Sequence, residues 1–423
     1  MISELKIRNF KSLESVDLKL GHFNLLVGAN ASGKSNFLDA LRFLQGIGNG
    51  FSLDEILDGK PPSEVSVRWP GIRGGSKSVA FRKTDATQEA RIEFHATLSG
   101  PIFLANFGGD VTFNLELSLT NEGPIFREQS LSRGDELAVL QRLKNDSESG
   151  ILGLVDNEAH DFSRKNTLPI VSRISTRSWH DVRASEPKLD DKAMKYGDLL
   201  FIGANLTLTY LADMQFLDPL PAILRDYSSK VARLGEDGEG FAALIHEIES
   251  NGGKAALLEW LRELRPDEVD DFYALEGLNN DFMVAIKEGK KEFRAPVLSE
   301  GTLRFIALAA AFFQPSMPKV LVIEEIEKGL HPSRLRLLLE LMRSQSKRTG
   351  TQVFATTHSP TLLNWLTEED RKTTFICTRD VETGATKMRS LAEVPKLEEL
   401  IKKNYNLDQL FEEGWLESAL HEP

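Results

Sequence analysis

Between a short apolar run, Phe23-Asn24-Leu25-Leu26-Val27, and a stretch carrying Phe37, Leu38, Leu41, Phe43 and Leu44 at helical spacing lies Gly28-Ala29-Asn30-Ala31-Ser32-Gly33-Lys34-Ser35. These eight residues fit the pattern G-x-x-x-x-G-K-[ST]. Their types suit one chemistry. Glycines let the backbone wrap closely enough for successive N–H groups to point at phosphate oxygens, and the helix that follows adds its positive N-terminal end. Lys34 supplies a point charge for the β- and γ-phosphates of a nucleotide, and the Ser35 hydroxyl a ligand for magnesium. The apolar strand before and the amphipathic helix after are the context that the pattern requires.

Such a phosphate site also needs carboxylates at the end of a neighbouring strand, for the metal and the attacking water. Val320-Leu321-Val322-Ile323 reads as a buried strand, and it ends in Glu324-Glu325. Glu324 is the candidate to hold magnesium through its water shell. Glu325 is the candidate to orient or deprotonate the lytic water, with Glu327 as a second candidate for that base. One helix and one strand later comes His358, within Thr356-Thr357-His358-Ser359-Pro360. That order returns the chain to the carboxyl end of the adjacent strand, where the phosphates lie. Leu298-Ser299-Glu300-Gly301-Thr302 opens an alanine-rich helix that Pro315 closes. Ser299 is a good N-cap; the same helix end, with Gly301 small and a hydroxyl free, can equally meet a γ-phosphate. Both readings stay open for these residues.

The elements that must position these groups follow from periodicity. Residues 2–7 and 14–20 alternate like two strands around the turn-like Asn9-Phe10-Lys11-Ser12. Residues 71–76, Gly-Ile-Arg-Gly-Gly-Ser, read as a flexible break, and 90–98 and 111–119 as paired antiparallel strands. Residues 120–200 are polar and show no clear pattern. From 216 to 290 the pattern is helical, notably over 241–249 and 255–264, with Gly252-Gly253 interrupting it. No heptad repeat is sustained, so a long coiled-coil arm is not expected. Helices at 302–313 and 334–344, with strands at 320–323 and 352–356, imply a parallel sheet with crossover helices.

Composition bounds the rest. At 423 residues the chain exceeds the size at which one core stops growing, so two lobes are expected. Hydrophobic residues at 41 % and charged residues at 27 % are ordinary for a globular protein. No run of about 18 apolar residues exists to span a bilayer. The opening residues alternate apolar with charged and lack the apolar core of a signal peptide. Cys377 is the single cysteine, which excludes an internal disulfide and a thiolate metal cluster. A cytoplasmic location is expected. The net charge of −12 opposes a broad grip on nucleic acid. A local strip of Arg164, Lys165, Arg173, Arg177, Arg183 and Lys188 is either a solvated face or a DNA- or RNA-contacting one.

Taken in order, these residues resemble the ABC-class ATPases of the SMC, RecF and OLD type, most nearly the standalone OLD-like AAA-family ATPases. Ile7-Arg8-Asn9-Phe10-Lys11-Ser12 resembles their opening segment, and Gly28 to Ser35 their phosphate loop. Leu298 to Thr302 looks like the signature motif, Ile323 to Pro332 like the acidic strand and dimer loop, and Thr357-His358-Ser359-Pro360 like the switch histidine. Three departures stand out. Glu324 replaces the Asp of transporters and SMC proteins, Ile326 replaces the usual Pro, and no glutamine loop is evident. No D-x-D cluster follows His358, so the TOPRIM nuclease of full OLD proteins is not expected.

The resemblance implies a P-loop ATPase head of α/β class. It would have an N-terminal lobe with the loop and an antiparallel β subdomain (1–215), a helical insertion in place of a coiled coil (216–294) and a C-terminal lobe (295–423). It implies ATP and Mg2+ as ligands, nucleotide contacts from Arg8 and Asn36 besides the loop, and Glu325 and His358 as catalytic groups. It further implies a head-to-tail homodimer with ATP at the interface between one loop and the partner's Ser299 and Gly301. The output would pass to an effector such as a nuclease or TOPRIM protein in anti-phage defence. A repair ATPase acting directly on DNA is the alternative.

Overall fold

A computed structural model describes residues 1–62, 69–81, 90–120, 123–133, 137–145, 148–155, 158–161, 191–229, 233–264 and 269–420. The basic strip from Arg164 to Lys188 lies outside the described residues. Two compact units share the chain discontinuously. The first comprises Met1–Gly21, Ala29–Met214 and Cys377–Arg389; the second comprises His22–Gly28, Gln215–Ile376 and Ser390–Pro423.

The chain opens with the hairpin β1 (Ile2–Phe10) and β2 (Leu13–Lys19), then β3 (Phe23–Val27), α1 (Lys34–Gly48) and α2 (Leu53–Asp58). The tight turn between β1 and β2 takes left-handed backbone at Asn9 (φ 56°) and Lys11 (φ 51°). There follow β4 (Ala90–Leu98), α3 (Pro101–Phe107), β5 (Val111–Thr120), β6 (Gly123–Arg133), β7 (Leu137–Asn145), β8 (Glu148–Val155), β9 (Glu158–Asp161) and α4 (Asp191–Ala212). In the first unit β1, β2 and β4 to β9 make an eight-stranded sheet in the order β2-β1-β4-β5-β6-β7-β8-β9. The expected pairing of 90–98 with 111–119 holds, from Ala90 opposite Leu119 to Leu98 opposite Val111. Alternation explains the face: Ile92, Phe94, Ala96 and Leu98 are buried, as are Val111, Phe113, Leu115 and Leu117. Phe43 of α1 stacks on Phe94 at 4.9 Å between centroids, and Phe10 meets both rings edge-on. The helix after the phosphate loop is thereby fixed to the sheet by aromatic packing. At its far end Gly48 lies so close to α4 that a Cβ there would be 2.2 Å from the Ala212 nitrogen.

The second unit is built on parallel strands. After β10 (Met214–Leu217) come α5 (Phe241–Ser250) and α6 (Lys254–Leu264), then β11 (Asp271–Glu276), β12 (Phe282–Glu288) and β13 (Lys291–Arg294). Next are α7 (Glu300–Ala311), β14 (Val320–Ile323), α8 (Pro332–Thr349), β15 (Gln352–Thr357) and the first half of β16 (Thr374–Arg379); the rest of β16 and nearly all of β17 (Thr386–Ser390) belong to the first unit. Within this unit the strand order is β10-β14-β15-β3-β16. β14, β15, β3 and β16 run parallel, and β3, β14 and β15 are buried along their whole length, as strands covered on both faces must be. The helical reading of 216–290 holds for α5 and α6 but not beyond them. Residues 271–294 form a three-stranded antiparallel sheet, β11-β12-β13. A turn closed by Gly277 N–H donating to Asp281 O at 2.7 Å, with Asn280 at φ 55°, reverses the chain there. α7 is buried nearly all round, its alanines allowing close approach on every side.

Candidate nucleotide site

The loop after β3 is shaped by its sequence. Gly33 holds φ 104°, and a Cβ there would come within 1.9 Å of Thr386 Oγ1, so only glycine fits. Ala31 also takes a left-handed φ of 64°. Ala29, Asn30 and Ala31 are exposed, whereas Ser32, Gly33 and Lys34 are buried. α1 starts without a side-chain cap or an acidic residue in its first turn, which leaves its positive end for an anion. Lys34 folds back, its Nζ donating to Ala29 O at 2.8 Å. Ser32 Oγ is buried and has no hydrogen-bond partner among the described residues. A buried hydroxyl without a partner, in a loop with room for no more side chain, fits a phosphate group.

A relay of hydrogen bonds, missed by sequence reasoning, supports this loop. Asn36 Nδ2 donates to Ser12 Oγ at 2.6 Å, and Ser12 and Thr386 hydroxyls lie 2.6 Å apart. Thr386 Oγ1 donates to Ser32 O at 3.0 Å, so the proton between the two hydroxyls comes from Ser12. The stretch 71–76 is not a loose break. Arg73 Nη2 donates to Ser35 O at 2.6 Å and Nε to Asp39 at 2.9 Å. Lys11 donates to Asp39 and to Arg73 O. Asp39 is almost fully buried on the face of α1 that carries Phe43, and a buried carboxylate needs cations. That was the available signal. Arg8 is engaged on its own hairpin, donating to Val16 O and pairing with Asp17 at 2.7 Å.

In the second unit, β14, β15 and β3 end at one sheet edge: Ile323 is level with Ala355, and Thr357 with Val27. Gly28, first residue of the loop, donates its N–H to Thr357 O at 3.3 Å. Glu324 and Glu325, both half-buried, follow β14 directly. Glu325 adopts φ 49°, its N–H donating to Thr356 Oγ1 at 2.9 Å. Ile326 N–H donates to Thr356 O at 3.0 Å, a bond that the usual proline could not make. Glu327, the second candidate base, is committed to His358: its Oε1 accepts from the His358 N–H at 2.5 Å and lies 2.6 Å from Nδ1. His358, half-exposed, is thus oriented by a buried carboxylate, and Nε2 is the nitrogen left for another partner.

Ser299 is exposed and caps α7, its Oγ accepting from Thr302 N–H at 3.2 Å. Gly301 is buried against the loop after the acids, where a Cβ would stand 2.3 Å from Gly329 O. Gly301→Ala should therefore push this loop aside and destabilise the fold by about 1–3 kcal/mol. Urea unfolding checks this, and a midpoint equal to wild type would refute it.

A glycine loop opening a helix after a buried parallel strand, with acids ending a strand of the same sheet, defines a P-loop ATPase of the ABC class. A family model described as "AAA domain, putative AbiEii toxin, Type IV TA system" matches residues 23–364, and the chain belongs to that family. It is similar to an ATP/GTP phosphatase of Helicobacter pylori, 20 % identical over 89 % of this chain and 90 % of that one. It is also similar to the DNA replication and repair protein RecF of Geobacter metallireducens, 22 % identical over 84 % of this chain and 92 % of that one. Among solved structures, the SMC head bound to the C-winged helix domain of ScpA aligns over 94 % of this chain and 99 % of that one. Its TM-score is 0.47 at 16 % identity. Among the described residues no helix is long and apolar enough to cross a membrane.

Proposed function

We propose that this ATPase is a dimeric switch, in which ATP binding closes two heads head to tail, hydrolysis reopens them, and the change passes to an effector protein in a defence system. The observation that supports it most is the common edge reached by β3, β14 and β15, from which the phosphate loop, the acids and His358 all depart. On this reading Gly28 to Asn36 wrap the phosphates and Lys34 leaves Ala29 O to reach them. Glu325 takes a proton from the attacking water, and His358 donates to the γ-phosphate from Nε2. Ser35 and Glu324 carry the oxygen donors a hard dication takes, Glu324 through water. Bound Mg2+ would neutralise developing charge on the phosphates. Catalysis then rests on positioning and charge, with no covalent intermediate. The defence role is supported by the family's description as part of a toxin–antitoxin system. The similarity to RecF favours a second reading, a repair ATPase acting directly on DNA. A salt-sensitive shift of DNA by the isolated protein would favour it.

The shared site is tested through Ser299. If Ser299 acts only as a cap, Ser299→Asp is nearly harmless, because Asp caps about as well. If it meets the γ-phosphate of the opposite chain, Asp sets a carboxylate against a polyanion. Each pair of unit charges 4 Å apart then costs about 4 kcal/mol at an effective dielectric near 20. ATP should still bind each chain, and hydrolysis should fail. Mixing Ser299→Asp with Lys34→Ala protein leaves one composite site whole in each mixed dimer, so part of the ATPase activity should return. Full activity in Ser299→Asp alone would refute the shared site.

A further inference from the structure

α7 carries one charged residue among its buried ones, Arg304. Its side chain is 1 % exposed, and Leu303, Phe305, Ala307 and Leu308 around it on the helix are buried and apolar. Burying a guanidinium costs more than it returns unless its donors are met, and an apolar residue of similar volume would pack there at less cost. What the arginine supplies is geometry. Nη1 donates to Asp218 Oδ1 at 2.8 Å and to Pro219 O at 2.7 Å; Nη2 donates to Glu324 O at 3.0 Å and to Glu325 O at 3.1 Å. A planar fork can span four such acceptors, and an ammonium cannot.

We propose that Arg304 is the positioning residue for the Glu325 carboxylate, tying the helix that begins at Ser299 to the backbone of both acids. Glu325 stands in the left-handed region, which a residue with a Cβ leaves unless its surroundings hold it there. Both of its backbone polar groups are held. The N–H goes to Thr356 Oγ1, and the carbonyl accepts from Arg304 and from the Lys328 N–H at 3.0 Å. Lys328 closes the bracket, its Nζ pairing with the same Asp218 at 2.8 Å. Asp218 therefore carries two cations, Arg304 and Lys328. With the backbone of that turn fixed, the direction in which Glu325 leaves it is fixed too. A shift of the Ser299 end of α7 is passed to the backbone of the acids through the Arg304 side chain. The inference rests on the reading of Glu325 as the base.

Arg304→Lys tests it, with ATP affinity, turnover and amide exchange measured on the full chain. A base displaced by about 1 Å loses about a hundredfold in rate, so kcat should fall by that order while ATP affinity stays within about threefold. The amides of Glu325, Ile326 and Lys328 should exchange at least about tenfold faster, with α5 and α6 unchanged. Equal loss of affinity and turnover, or kcat within about twofold of wild type, overturns the proposal. If Arg304→Lys does not fold, Asp218→Asn decides. It weakens the anchor while keeping a hydrogen-bonding side chain, and should lower kcat about tenfold at unchanged affinity; unchanged turnover overturns the proposal. Glu325→Gln separates the two ideas. Wild-type hydrolysis in that variant removes the base assignment, while the exchange rates still report whether Arg304 holds the turn.

Discussion

Replacing Lys34 by alanine is expected to abolish the stabilisation that ATP confers. In the structure the ammonium is folded onto Ala29 O, a bond that nucleotide phosphates can replace with stronger, charge-assisted ones. With ATP at about 100 times its dissociation constant, wild-type protein should gain about 2.7 kcal/mol. The alanine variant loses a charged hydrogen bond even without ligand, worth about 1.5–3 kcal/mol. The quantity to compare is therefore the ATP-induced shift in unfolding temperature within each protein, not the temperatures themselves. The variant should show almost no shift. A shift as large as the wild type's would remove the loop from the binding site, whatever its sequence pattern.

Glu325→Gln should bind ATP normally and hydrolyse it at least about a hundredfold more slowly. Glutamine keeps the size and the hydrogen bonds but cannot accept a proton. On the proposed dimeric reading, its nucleotide-bound dimer should live longer, which size-exclusion chromatography with ATP and Mg2+ would register. The geometry separates this acid from Glu327, whose Oε1 is occupied by the N–H and ring of His358. Glu327→Gln should act through the orientation of that histidine and cost less. If Glu327→Gln stops hydrolysis and Glu325→Gln does not, the base is Glu327.

The parts of the site that lie within one short segment were legible in the sequence. Gly28 to Ser35 carry their own backbone requirements, and the strand ending in Glu324-Glu325 announced itself by four apolar residues and two acids. The supports of the site were not legible, because they converge from remote positions. Ser12 and Thr386 meet at the loop although they are 374 positions apart in the sequence, and neither segment has a pattern pointing to the other. Arg73 lay in a glycine-rich stretch that suggests looseness; its guanidinium is fixed by Asp39 and Ser35 O. The three strands from Asp271 to Arg294 were hidden for another reason. Alanine, leucine, methionine, glutamate and lysine, at home in a helix, are mixed there with Phe272, Tyr273, Phe282, Val284, Ile286 and Phe293, which favour strands, so propensity is divided and pairing decides. Arg304 gave no signal beyond a charge in an alanine-rich helix, and its partners belong to two other segments, Asp218-Pro219 and Glu324-Glu325.

Biosynthesis meets an awkward order in this sheet. β3 is made long before its neighbours, yet it belongs in the interior of the sheet, between β15 and β16. The Asn24 side chain finds its acceptor, Val353 O, 329 residues further along. Until then five residues destined for complete burial wait on the ribosome with both strand edges unpaired. A growing chain must shield them or hold them in temporary company, and any truncated chain that stops short of β15 will carry them permanently exposed. A fragment that ends between the loop and the acids is therefore expected to aggregate when it is made alone.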